Sequence, residues 1–389
     1  MSLFPRPVQA PFLSLVLAFF AAGCGASEPV DTSFEPLIEP VATRQPARVP
    51  TATLAPRQST ARGTPATTAP PRKPPTVSPP DLTLRTPVAT VPTVCGEVAA
   101  SGTAATRSRT PLATPPPRVT AAPSPRLVSP TGVEPAARHE PLPLRRDAAL
   151  ERELRQILGP DIDSYAVVVK DLGSGRGASI NADRVFYSAS LFKVAIMYEV
   201  FNQVEQGIHD LDDELVITPY YEQFGLGPRA TFVCQRLTVE DALVAMMAVS
   251  DNAAAVLLQD LAGSGNVNNT LESLGVKTHR IEEELPSTAE DFALLLDAIG
   301  RGEAVSEEYS DAMLQLLFGE RIDNGVKAGV PAGTVVAHKT GNWDNATHDV
   351  AIVFAPHATY ELIVLSDRDH ETALTKAVSA AVWDYFERP

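Results

Sequence analysis

Residues 187–198 read Y-S-A-S-L-F-K-V-A-I-M-Y. Leu191, Phe192, Val194, Ala195, Ile196 and Met197 are the residues of a helix buried on nearly every side. Ser190 and Lys193 stand among them three positions apart, which on a helix is one face and one turn. An ammonium on such a helix is costly to desolvate, so its presence calls for a use. A serine hydroxyl is a poor nucleophile until a base takes its proton. A lysine is that base only when burial or neighbouring cations lower its pKa, and the apolar helix supplies the burial. Ser190 at the first turn also lies where the helix dipole favours developing negative charge. Alone, the pair reads rather as a helix cap beside a snorkelling lysine, and it is the surrounding chain that turns the reading toward catalysis.

Upstream, Asp147 caps a helix D-A-A-L-E-R-E-L-R-Q-I-L that Gly159-Pro160 stops. Y-A-V-V-V-K-D-L reads as a strand with G-S-G-R-G as its turn, and a second strand covers A-S-I-N-A. The Ser190 helix is expected to run to about Gln206. Downstream, L-T-V-E-D-A-L-V-A-M-M-A-V opens with a capping box, Thr238 to Asp241. Further helices are predicted near 252–262, 265–274, 288–300 and 306–318. Three strands, T-V-V-A-H-K-T, H-D-V-A-I-V-F-A and Y-E-L-I-V-L-S-D, and a last helix E-T-A-L-T-K-A-V-S-A-A-V-W-D-Y-F follow. Strands open and close the domain and helices fill its middle. Strands separated in this way pair into one sheet, with the helical insert as a second lobe and a cleft between them.

Two short motifs lie along this frame. Residues 250–252 read S-D-N between two helical segments, and residues 339–341 read K-T-G at the end of a strand. Ser-x-x-Lys, then Ser-Asp-Asn 60 residues later, then Lys-Thr-Gly on a strand, resembles the penicillin-recognising serine enzymes, class A β-lactamases and penicillin-binding proteins. The helices around S-D-N and the approach V-P-A-G-T-V-V-A-H-K-T-G resemble class A as well, and the likeness covers about 150–387. It implies an α/β two-lobe fold of the serine β-lactamase/transpeptidase type: an antiparallel sheet flanked by terminal helices, plus an all-α lobe.

The resemblance also implies roles. Ser190 attacks the lactam or peptide carbonyl and Lys193 helps take its proton. Ser250 relays a proton to the departing nitrogen. Asn252 bonds Lys193 and the substrate amide. Lys339 and Thr340 bind the substrate carboxylate, Gly341 keeps the strand clear for a ligand, and the backbone N–H groups of Ser190 and Asn342 form an oxyanion hole. Asp251 reads as a structural cap. His338 and His348 flank the third motif and read as surface or packing residues, with His348 within reach of a carboxylate.

The likeness has a gap. Class A β-lactamases carry a Glu-x-x-x-Asn motif in an Ω-shaped loop, whose glutamate orients the hydrolytic water. Here the stretch V-K-T-H-R-I-E-E-E-L-P-S-T-A-E-D is too short for the full loop, and no Asn follows its glutamates by four. Glu282, Glu283 and Glu284 are candidates to activate water, or else solvated charges on a short loop. One match to the spacing after S-D-N, Glu320 to Asn324, lies just before the third motif and is set aside as coincidence. Three readings follow: a class A-type β-lactamase with slow deacylation, a D-alanyl-D-alanine peptidase or esterase of cell-wall peptides that β-lactams trap, and a non-catalytic envelope-tethered binding module. The first is preferred. The partner is a β-lactam or D-Ala-D-Ala-like peptide.

The rest of the chain sets the context. Of 35 prolines, 25 fall between Glu28 and Asp147, in a stretch with neither helical nor strand period. It reads as a disordered, partly polyproline tether over 25–147, about 60 Å across as a coil. Residues 148–389 are expected to form one domain, by the resemblance the catalytic one. Residues 28–147 carry 14 Lys/Arg and 9 Asp/Glu, and residues 148–389 carry 17 and 38. An acidic domain argues against nucleic acid. Residues 1–24 read as a secretion signal, and F-A-A-G-C resembles a lipobox, which implies lipidation at Cys24. The protein is expected outside the cytoplasm, a monomer touching membrane only through that anchor. Cys234, in T-F-V-C-Q-R-L, is expected as a buried thiol rather than one end of a bridge to Cys95. No metal-ligand spacing is visible, and no cofactor is expected.

Overall fold

The computed structural model describes residues 132–135, 139–225 and 230–388. The expected leader, Cys24, Cys95 and most of the Pro-rich stretch lie outside the described residues. The first elements are β1 (Arg145–Arg146), α1 (Ala148–Leu158), β2 (Tyr165–Asp171), β3 (Arg176–Ile180), β4 (Phe186–Tyr187) and α2 (Phe192–Glu205). The middle holds β5 (Glu214–Val216), α3 (Pro219–Glu222), β6 (Arg236–Thr238), α4 (Val239–Ala248), α5 (Asn252–Ala262), α6 (Ser264–Ser273), β7 (Pro286–Ser287), α7 (Ala289–Arg301) and α8 (Glu307–Phe318). The chain closes with β8 (Val335–Trp343), β9 (Ala346–Phe354), β10 (Thr359–Ser366) and α9 (Ala373–Glu387).

Six strands form one sheet in the order β1-β3-β2-β10-β9-β8. Its pairs are antiparallel apart from β1 on β3. The central strands are apolar on both faces, as burial on both sides requires. Val168, Ile352, Ile363 and Leu365 face one core with α2, α4, α5 and α7, while Val167, Val169, Val353, Leu362 and Val364 face a second core under α1 and α9. The alternation follows the two-residue period of a strand. It fixes β8, the strand of the K-T-G motif, at the edge of the sheet beside the helical lobe, where α8 packs on it. The expected two-lobe α/β fold with terminal helices is what forms.

Three local expectations differ. The Ser190 helix begins as a 3-10 turn, Ala189–Leu191, before α2. The domain also starts earlier than Ala148. Arg145 N donates to Gly175 O at 2.7 Å and Asp147 N to Gly177 O at 2.6 Å. His139 Nε2 lies 2.7 Å from Asp297 Oδ2, which also accepts from Leu142 N at 3.2 Å. Asp297 meets Lys170 at 2.7 Å, and Lys170 faces Glu361 across the β2–β10 pair at 3.1 Å. Pro141 and Pro143 do not prevent this, because an edge segment leaves its missing N–H groups unneeded. Finally, Cys234 is half-buried and disulfide-bonded, not a buried thiol. The other cysteines, Cys24 and Cys95, are outside the described residues.

Candidate active site

Ser190 sits in the 3-10 turn that leads into α2, half-buried, with Ala189 before it at φ 47°. A non-glycine residue adopts that conformation rarely and only where its surroundings impose it. Two supports do so. Ser188 N donates to Leu285 O at 2.9 Å, and Leu191 N donates back to Ser188 O at 3.0 Å. From the other side, β8 closes on the turn at Gly341. A Cβ there would meet Leu191 Cγ and Ser188 O at 3.0 Å and Ala189 Cβ at 3.4 Å. The space that Gly341 leaves is therefore filled by the nucleophile's own turn.

Lys193 is fully buried one helical turn on. Its Nζ lies 3.2 Å from Ser190 Oγ and 2.9 Å from Ser250 Oγ. It donates to Ser250 O at 2.7 Å and to Asn252 Oδ1 at 2.6 Å. Burial first, then the positive charge of Lys339, holds its pKa well below the ordinary lysine range, against Asp251 and Glu320, which raise it. A neutral amine has two hydrogens and one lone pair. With both hydrogens on the carbonyl oxygens, the lone pair is left for a serine hydroxyl to donate to, which is the geometry of a general base.

The S-D-N turn sits between α4 and α5. Ser250 has φ 61°, a second strained non-glycine residue at the site. Asp251 holds the turn: its Oδ1 accepts from Ala254 N at 2.9 Å, capping α5, and its Oδ2 accepts from Ala230 N at 2.7 Å and Thr231 N at 3.0 Å. This is the structural cap the sequence suggested.

On β8, Lys339 and Thr340 are buried. Lys339 Nζ donates to Glu320 Oε2 and, at 3.0 Å, to Thr340 O. Both side chains of the Lys339–Glu320 pair are wholly buried. Thr340 Oγ1 is buried and has no hydrogen-bond partner among the described residues. The two histidines are buried too, not at the surface. His338 lies between Asp349 and Asp323, at 3.1 and 3.3 Å, and although burial alone would lower its pKa, these carboxylates raise it to about 9. His348 donates from Nε2 to Tyr187 O at 2.8 Å and accepts from Ser366 N at Nδ1 at 3.1 Å. Burial lowers its pKa to about 4, so it is a neutral brace behind the nucleophile strand, not a carboxylate ligand.

The structure thus brings Ser190, Lys193, Ser250 and Asn252 into direct contact, with Lys339 and Thr340 on the adjoining strand. Glu282, Glu283 and Glu284 are exposed, in the turn that ends at Leu285. Glu320, set aside in the sequence, stands in the site. Its spacing to Asn324 was the wrong signal. The right one was electrostatic: a buried lysine in an apolar strand needs a counter-charge, and Glu320 supplies it.

A family model described as Beta-lactamase enzyme family matches residues 149–386. Solved structures match the fold. PBP-A is 22% identical with a TM-score of 0.59, covering 64% of this chain and 99% of its own. A β-lactamase from Sphaerobacter thermophilus is 24% identical with a TM-score of 0.56, covering 61% of this chain and 96% of its own. The L158E mutant of PBP-A, in an acyl-enzyme complex with penicillin G, is 23% identical with a TM-score of 0.59, covering 63% of this chain and 99% of its own.

Proposed function

The chain belongs to the β-lactamase enzyme family, and from that premise we propose that it is a serine hydrolase that opens β-lactam rings through an acyl-enzyme on Ser190. One observation carries the reading: the buried Lys193 amine lies within hydrogen-bond reach of both Ser190 Oγ and Ser250 Oγ. Ser190 Oγ bonds to the carbonyl carbon and its proton passes to Lys193. The lactam C–N bond then breaks, and the nitrogen takes a proton handed on from Lys193 through Ser250 Oγ. The backbone N–H groups of Ser190 and Asn342 are the donors for the oxyanion, the kind of contact worth about 10²–10³ in rate each. Asn252 orients the amide beside the ring, and Thr340 Oγ1 holds the polar group at its far end. The Cys234 disulfide fits an exported protein, in keeping with the leader that ends at Cys24.

Release of the acyl group needs a base for water. Glu282, Glu283 and Glu284 are exposed, which favours slow deacylation. The same observation supports a second reading, a penicillin-binding peptidase or esterase of cell-wall peptides that a β-lactam traps. The PBP-A acyl-enzyme with penicillin G supports the acylation half of either reading. A quenched time course of intact-protein mass with excess penicillin G separates them. An adduct that forms and disappears while hydrolysed drug accumulates is the β-lactamase outcome. An adduct that persists for hours is the peptidase outcome. No adduct, or one unaffected by Ser190→Ala, refutes both.

A further inference from the structure

Glu320 follows α8, and Arg321 N donates to Ala248 O at 2.9 Å, which ties this segment to the end of α4 just before the S-D-N turn. The tie aims the Glu320 carboxylate at the floor of β8. There Oε2 takes Lys339 Nζ and, at 3.5 Å, Thr340 N, while Oε1 accepts from Ile322 N at 3.3 Å. Lys339 is the cation that the family resemblance assigns to a substrate carboxylate. In this chain that ammonium already has a carboxylate in direct contact, and both side chains are wholly buried. The neighbouring imidazoles do not restore a surplus. His338 is cationic but stands between Asp323 and Asp349, and Asp323 also meets Lys327 at 3.0 Å. His348 is a neutral brace. Beside this pair lies Thr340 Oγ1, a neutral hydroxyl, buried and without a hydrogen-bond partner among the described residues. A buried ion pair is hard to split, because either charge left alone bears the full desolvation cost. A second carboxylate must therefore approach an ammonium already neutralised and a fixed anion a few ångströms away.

We propose that Glu320 sets the charge preference of the Ser190 site: by occupying Lys339 it turns the site toward acyl donors with no carboxylate near the scissile carbonyl, neutral esters and amides whose polar atom Thr340 Oγ1 binds. The proposal rests on Ser190 being the acylated residue. Glu320 acts through Lys339 and Thr340, as a positioning residue, and does not touch the reacting atoms.

The test is a matched pair of probes on the full-length protein, penicillin G and its methyl ester, which differ in one charge. The acylation rate constant of each is read by intact mass. Wild type is expected to acylate with the ester at least as fast as with the acid. Glu320→Gln removes the charge and keeps the shape, and is expected to raise the acid-to-ester ratio about tenfold or more, with Glu320→Asp near wild type. A wild-type preference for the acid of tenfold or more overturns the proposal even if no variant folds. So does a ratio that Glu320→Gln leaves unchanged, or one that Arg321→Gln moves instead. No adduct with either probe refutes the Ser190 reading itself, a result distinct from an adduct whose rate ignores charge.

Discussion

Because burial and Lys339 hold the Lys193 amine well below its ordinary range, it is a base at pH values where an exposed lysine is fully protonated. A base must be unprotonated to act, so the acylation rate should rise with pH through that lowered pKa and then level off, as stopped-flow acylation against pH would read. Lys193→Met should cut the plateau about 10³-fold with the fold intact by circular dichroism. The two buried histidines of the β8–β9 pair make an opposite pair of predictions for stability. His338, raised to about 9, stabilises fully below the unfolded value near 6.5, and that contribution is lost as pH rises through 9. His348, lowered to about 4, resists a proton that the unfolded chain accepts, so stability falls as pH drops from about 6.5 toward 4. Melting temperature should therefore peak near neutrality. His338→Gln should flatten the alkaline side, where the wild type loses up to about 3 kcal/mol. At this scale the sequence was informative where chemistry is local. Ser190, Lys193, Ser250 and Lys339 announce themselves by residue type and spacing. Glu320 does not, since its role arises through space from a lysine 19 positions later.

Elements long enough to show a period were readable: α4 with its capping box from Thr238 to Asp241, α5, α7 and the three closing strands all form near their expected bounds. The two- and three-residue pairs β4–β7 and β5–β6 were not, because a strand of that length shows no alternation. Yet β4–β7 is what positions the nucleophile turn, with Phe186 opposite Ser287 and Tyr187 opposite Pro286. Gly341→Ala tests the contact on the other side of that turn. The added methyl at 3.0 Å must move Leu191 or Ser188, and a shift of a few tenths of an ångström at the nucleophile should slow acylation about tenfold or more with only a small change in melting temperature. Asp251→Ala removes the α5 cap and the anchors of Ala230 and Thr231. It should cost about 2–4 kcal/mol by chemical denaturation, and slow acylation as well, because Asn252 and Ser250 lose their support.

For the whole molecule, proline density, the missing period and the change in charge place the boundary of the folded domain at Asp147. Composition reports where regular structure is unfavourable, not where an extended segment finds an edge to lie on. Residues 139–147 find one, along β3 and the Lys170–Asp297–Glu361 cluster. A fragment starting at residue 132 should therefore be more stable than one starting at 148 by about 2 kcal/mol or more, measured by urea unfolding of the two. Cysteine count also misled, since two thiols make no framework, whereas the folded chain holds Cys234 in a bridge. Cys234 should resist alkylation in the unfolded protein until a reductant is added.

The proposed chemistry turns on Ser190 as the acylated residue and on Lys193 as the group that activates it. The measurement that meets it most directly is peptide mapping of the protein quenched after brief exposure to penicillin G, run beside Lys193→Met. A penicilloyl group is expected on the peptide that contains Ser190 in the wild type, and almost none in the variant over the same interval. Modification at any other residue, or an equal yield on Ser190 without the lysine, would contradict it.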